Sequence, residues 1–421
     1  MSARHLPVRP DLNQLRHQAK DLLRAIRSRD PSAVADLETY HPKPIAPERA
    51  KLADAQLVLA RSYQAPSWPR LVLACKLIDA ICHDDADTVR DLVVRHPNLL
   101  HENAGIRNGN WGPPLSFAAN LGRDRIIDLL HGLGAKDLLH ALDRATLQSQ
   151  IGTARKLHAM LGAPRPPAES LDGPAYTLSA SGTRLMFEFG AELRDSQGVP
   201  SAPVDVVLET DGRNPTAKHQ ILEMYVEHGV ELPDTPTMAV HRGRIDLLER
   251  HLRRDPALLS RTFSHETIYP PELGCHDEIL ATHGTPLAGA TLLHMCVDYD
   301  EMEIAQWLLD RGMDVNTKAT VDRDGFGGHT ALFATVVSQP NLKMHLERRA
   351  QEAPFTRLLL DHGADPNVRA SLRKQLHPGY GEETMHEYRD VTALSWGQRF
   401  HDRRFVSEPA MRLIADHGGR E

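Results

Sequence analysis

Apolar residues recur at three- and four-residue steps near the start of the chain. Leu12, Leu15, Ala19, Leu22 and Ile26 fall on one face of a helix, the spacing of an amphipathic helix laid on a core. Asp30-Pro31 predicts the end of that helix and the start of the next, because proline is welcome only in a helix's first turn. After the Pro-rich link HPKPIAP at 41–47, residues 48–63 carry a broad apolar face and predict another helix. Ser67 predicts the N-cap of one more, running from Trp68 through Leu71, Val72, Cys75 and Ile78.

From residue 83 onward one phrase returns: an apolar helical run, then Gly or Asp-Pro, then a polar turn. It reads DLVVRHPNLL at 91–100, LLHGLGA at 129–135, MFEFGAEL at 186–193, MYVEHGVEL at 224–232 and LERHLRRDPALL at 248–259. It returns as WLLDRGMDVN at 307–316, LLLDHGADPN at 358–367 and LIADHGG at 413–419. The glycine supplies a left-handed C-cap that turns the chain sharply out of its helix. Each helix has an apolar side too wide to hide alone, so neighbouring copies must stack to bury it.

These residues carry a resemblance. GATLLHMCVDYDEMEIAQWLLDRGMDVN at 289–316 resembles the ankyrin repeat, with TLLH in place of TPLH. GHTALFATVVS with FTRLLLDHGADPNVRA, DVTALSWGQRF with MRLIADHGG, and GPPLSFAANLGRDRIIDLLHGLGA resemble further copies. The head, LNQLRHQAKDLLR through LADAQLVLARSYQAPSWPRL, resembles a segment found ahead of bacterial ankyrin arrays. The resemblance implies an all-α fold, an ankyrin-type α-solenoid of about eight repeats. Several repeats are degenerate, above all within 136–260; β-hairpin-like fingers join the helix pairs, and a helical head precedes them. Residues 1–82 then form the head or cap, 83–260 the partly degenerate repeats, and 261–421 repeats with long His/Asp/Gly-rich finger insertions. It also implies that His294 of TLLH ties adjacent repeats, with Thr291 capping the helix.

Charge narrows the function. The 421-residue chain carries net −7, but residues 1–80 hold 13 Lys/Arg against 8 Asp/Glu, net +5, which leaves −12 on the rest. An acidic body of that size argues against nucleic acid as the main ligand, since phosphate contacts need clustered Lys/Arg. The helix-turn-helix look of 52–71 offers mainly apolar residues where base edges would be read. Four cysteines are too few for a disulfide framework, and no 18-residue apolar stretch predicts a membrane span. The cytoplasm is the expected compartment.

The repeat is stretched towards the C-terminus. Gly312 and Gly363 are 51 residues apart, and Gly363 and Gly418 are 55 apart, against the ~33 of a minimal ankyrin unit. Insertions in a solenoid gather on one face, often the binding face. The excess falls at 261–289, 317–333 and 368–392, and stacking would set these fingers side by side. They carry His265, Glu266, Tyr269, His276, Asp277, His283, Asp322, Asp324, His329, Arg373, His386, Glu387 and Asp390.

Two readings follow. The first is an intracellular protein-interaction module with a protein partner. The second is a small-molecule or metal site between the fingers, with catalysis as one use of it. In it His276, Asp277, His283 and His329 would bind a divalent metal, since imidazole and carboxylate together suit Zn²⁺. Alternatively His276, His283 and His329 would move protons, with Asp324 orienting one of them. Arg373, beside Arg369 and Lys374, would grip a small anionic ligand. His265, Glu266, Tyr269, Asp322, His386, Glu387 and Asp390 complete the candidate lining. His329, at the return of its finger, is placed to face a ligand, and Gly327 and Gly328 would let one approach the backbone. DRDGFGG at 322–328 is not a calcium loop, because Ala331 stands where the bidentate Glu is needed.

Overall fold

A computed structural model describes residues 6–106, 110–194, 198, 202–276, 285–337, 352–375 and 384–421. The chain divides into two compact units, Met1–Arg165 and Pro166–Glu421.

In the first unit, α1 (Leu12–Arg27), α2 (Pro31–Tyr40), α3 (Leu52–Ser62) and α4 (Trp68–Cys82) form the head. The predicted stripe is buried: Leu15, Ala19, Leu22 and Ile26 share one core with Leu37, Leu59, Leu71 and Cys75. The helix starts follow the expected capping chemistry. The Asp30 carboxylate accepts the Ser32 and Ala33 N–H groups with Pro31 at the first helical position, and Ser67 Oγ accepts from Arg70 N. Helices α5 (Ala86–Arg95), α6 (Pro114–Asn120), α7 (Asp124–Gly132), α8 (Leu138–Leu147) and α9 (Ile151–Met160) follow as short elements, with α6 packed on both α7 and α8. Arg144 on α8 is buried and donates through Nε to Asn120 Oδ1 on α6 at 2.9 Å.

The second unit runs through α10 (Asp172–Tyr176), α11 (Ala180–Glu188), α12 (Val204–Glu209), α13 (Pro215–Glu227), α14 (Pro236–His241) and α15 (Ile245–Arg254). It continues with α16 (His265–Ile268), α17 (Leu292–Tyr299), α18 (Met302–Asp310), α19 (Ala331–Val336) and α20 (Pro354–Asp361). The antiparallel pair β1 (Ala370–Lys374) and β2 (His386–Val391), then α21 (Ala393–Arg399) and α22 (Glu408–Asp416), complete it. Helix α17 packs on its partner α18 and on α14 and α19 to either side, and α19 packs in turn on α21. The terminal glycines do what their position predicts: Gly229, Gly312, Gly363 and Gly418 all take positive φ, between 82° and 92°, beyond the reach of most side chains.

The recurring polar residue after that glycine has its own job. Asn316 Nδ2 donates to Gly363 O at 3.0 Å while its Oδ1 accepts from Asp365 N at 2.7 Å. One repeat further, Asn367 Nδ2 donates to Gly418 O at 3.1 Å and its Oδ1 accepts from Arg420 N at 2.8 Å. Each Asn thus fills both its amide roles on the following glycine turn.

Candidate functional site

The fingers of the second unit are held by their main chains. Phe263 N donates to Ala290 O, and Gly289 N returns a bond to Phe263 O. Thr320 N reaches Gly289 O, Ala319 N reaches His329 O, and Gly327 exchanges two bonds with Ser371 at the start of β1. Strand β1 then pairs with β2. Gly327 sits at φ 121°, and a Cβ there would run into the Thr320 carbonyl. The room left by its missing side chain is therefore taken by the neighbouring strand of the finger, not by a ligand.

Arg373 fastens the same junction. Its guanidinium donates to Asp322 Oδ2 at 2.7 Å and to Asp324 Oδ2 at 3.1 Å, residues 51 and 49 positions away. It also lies 4.9 Å from the centre of the Phe326 ring, with Arg389 at 4.3 Å from the same ring. Asp322 Oδ1 accepts the N–H groups of Asp324 and Phe326 as well, which shapes the turn. Arg373, expected to hold an anion, is thus occupied by two carboxylates. Asp324, expected to orient a histidine, instead pairs with Arg373.

His329 does not face outward. Its side chain is buried, Nε2 donates to Pro286 O at 3.1 Å, and its carbonyl accepts from His294 Nε2 at 3.1 Å. His294 Nδ1 in turn meets Thr291 Oγ1 at 2.9 Å, so the TLLH histidine joins its own cap to the next repeat's finger. Burial pushes the pKa of His294 down to about 4 and that of His329 down to about 3, where His294 also opposes a second charge. Both imidazoles are neutral struts. The expectation that His329 meets a ligand fails because the Pro286 segment of the preceding finger and the His294 ring lie against its imidazole.

The other candidates are spread out. His265 opens α16 and lies 4.9 Å, ring to ring, from Tyr269. Glu266 is exposed, its pKa lowered by its own backbone N–H and by Ser264. Tyr269 is buried, and its hydroxyl bonds that of Tyr299. His386 stacks flat on His401 at 3.8 Å, Glu387 pairs with Arg389, and Asp390 pairs with Arg369 at 3.0 Å. The His276 side chain is 81% exposed, while its backbone N–H donates to Glu209 Oε1 at 2.6 Å. Asp277 and His283 lie outside the described residues.

A polar cluster that no short motif announces lies between α13, α14 and α17. Lys218 is only 3% exposed. His241 Nε2 donates to Ile268 O at 3.0 Å, so its Nδ1 carries the lone pair and accepts from Lys218 Nζ at 2.8 Å. The same Nζ lies 3.6 Å from the centre of the Tyr299 ring, a cation–π arrangement. Arg213 bonds Asp298 Oδ2 at 2.8 Å, and His219 bonds Glu301 Oε1 at 2.8 Å. Burial lowers the Lys218 pKa to about 7, partly opposed by Glu301. Perturbed lysines are a mark of reactive sites, but this one is almost sealed from solvent and is held between His241 of α14 and the Tyr299 ring of α17, so it ties α13 to both helices. The available signal was the Thr235-Pro236 opening of α14, a cap plus first-turn proline that begins a repeat helix.

Residues 288–317 match the family model of the ankyrin repeat. No curated protein matches the sequence. The crystal structure of the human ASB11 ankyrin repeat domain is similar over 73% of this chain and 99% of that one, at 15% identity and a TM-score of 0.27, too loose a superposition to carry an argument.

Proposed function

We propose that this chain is a cytoplasmic protein-interaction module of the ankyrin-repeat kind, akin to the bacterial proteins whose head segment it resembles. In this reading 1–82 cap a solenoid of about eight repeats, partly degenerate over 83–260 and long-fingered over 261–421. Its partner is a protein that docks on the finger tips of the second unit. The observation that carries the proposal is the main-chain bonding from Phe263 through Gly289, Thr320 and Gly327 to Ser371 and β2. The described parts of the fingers that are tied in this way need little ordering when a partner arrives, and a preorganised surface loses less entropy on binding. Val321, 56% exposed, and Arg323 stand on the tip of the middle finger; arginine is a residue type that anchors interfaces, and Val321 adds apolar surface beside it. Four cysteines without a disulfide fit a reducing compartment, and among the described residues no helix is long and apolar enough to cross a membrane.

The test starts from partners captured by crosslinking and confirmed with purified components. A Val321→Glu/Arg323→Glu double variant is expected to weaken the confirmed complex by about 10-fold or more, equivalent to ~1.4 kcal/mol. Leu139→Lys, on an exposed site of the first unit, is expected to leave it unchanged. A complex indifferent to the finger variant but lost with Leu139→Lys overturns the assignment.

A further inference from the structure

Helix α12 and the segment after α16 bring together three groups that the finger contacts do not use. Asp205 and Glu209 lie four residues apart on α12, so their carboxylates share one helix face. Alone, that pairing is unfavourable, since like charges at this spacing repel. His276 meets them from the other segment, and one ligand atom from each of Asp205, Glu209 and His276 lies within 4.8 Å of the others. The His276 backbone N–H donates to Glu209 Oε1 at 2.6 Å; the ring Nδ1, 3.7 Å from Glu209 Oε2, donates to Gly274 O at 2.9 Å, so Nε2 carries the lone pair and a turn of the exposed ring brings it to the carboxylates.

The surroundings point the same way. Asp205 and Gly274 also line a cleft of about 890 Å³. Its described walls bear the carboxylates of Asp172, Glu192, Asp205, Glu231 and Glu272, with Arg194 as the fixed cation among them. A surplus of negative charge along an open cleft raises the local concentration of cations, and it adds to the unfavourable Asp205–Glu209 pairing that a bound cation would relieve.

We infer that Asp205, Glu209 and His276 form a binding site for a divalent transition-metal ion at the margin of this acidic cleft. One imidazole with two carboxylates selects among cations. Calcium and magnesium favour all-oxygen shells of six or more ligands, whereas Zn²⁺ accepts mixed nitrogen and oxygen donors in a four-coordinate shell. Zinc is the preferred ion, with three protein ligands and the fourth position open towards solvent or the cleft. Bond lengths of about 2.0–2.2 Å require the three donors to draw in by roughly 1 Å, which the exposed His276 side chain can supply by rotation.

The experiment is calorimetric titration of chelator-treated full-length protein with ZnCl₂, and separately with MgCl₂ and CaCl₂, alongside Asp205→Asn and Glu209→Gln. The expected result is one Zn²⁺ per chain that each substitution weakens about 10-fold or more, with Mg²⁺ and Ca²⁺ silent and circular dichroism unchanged. With 24 histidines in the chain, weak zinc uptake by other imidazoles is common to all three proteins; uptake equal in the wild type and both variants, or no uptake, overturns the site. If one variant fails to fold, the other decides.

Discussion

At the scale of single residues, histidine placement separates structure from chemistry. His294 and His329 are neutral in the folded chain, at about 4 and about 3 against an ordinary 6.5. As pH falls below 6.5 the unfolded chain takes up these protons first. The stability that the two residues contribute is therefore full above 6.5 and lost as pH drops towards 4 and then 3. His329→Gln keeps a donor for Pro286 O and removes one titrating group. Between pH 6.5 and 4 its denaturation midpoint is expected to fall less steeply than that of the wild type, by up to ~1.4 kcal/mol per pH unit. Equal slopes in urea titrations would mean that His329 protonates freely in the folded protein. None of this could be read from GHTALF alone, because the burial of His329 depends on Pro286, 43 residues away. Arg373 teaches the same lesson: its basic segment resembles an anion grip until Asp322 and Asp324 are brought against it by a different finger.

Elements were more legible than residues, for a local reason. The α1 stripe, the Asp30-Pro31 break and the Ser67 cap are each decided within one or two turns of chain, where spacing and capping suffice. The glycine turns were legible too, but the Asn that follows them was not given its role, although DVN and DPN recur in the sequence. Its meaning is relational: Asn367 satisfies Gly418 O and Arg420 N of the next turn. Asn367→Ala is expected to lower stability by about 1 kcal/mol, read as a shifted urea midpoint at constant m-value. Asn367→Asp, which keeps the acceptor and loses the donor, should fall between the two. A midpoint unmoved by Asn367→Ala would show that the Asn bonds are no better than those water supplies.

On the scale of the whole molecule, charge is the property the sequence states outright. A head at net +5 and a remainder at net −12 predict that the chain passes through immobilised duplex DNA at 150 mM salt, since long-range repulsion opposes the few phosphate contacts the head could make. Retention under those conditions would restore nucleic acid as a ligand. The division at Arg165 and Pro166 falls inside the stretch where the repeat phrase is hardest to read. Clusters such as Lys218 with His241 and Tyr299 were hidden for a related reason: their members come from three helices and share no spacing.

Apart from the grip of Arg373 on Asp322 and Asp324, the bonds that join the fingers run between N–H and C=O groups, which every residue but proline carries alike. Side chains at the tips, Val321 and Arg323 among them, can be exchanged without touching those bonds. A library randomised at such positions should therefore consist almost wholly of folded members that differ only in what they recognise. The same frame that restrains the backbone leaves selection, natural or in the laboratory, at liberty to rewrite the surface.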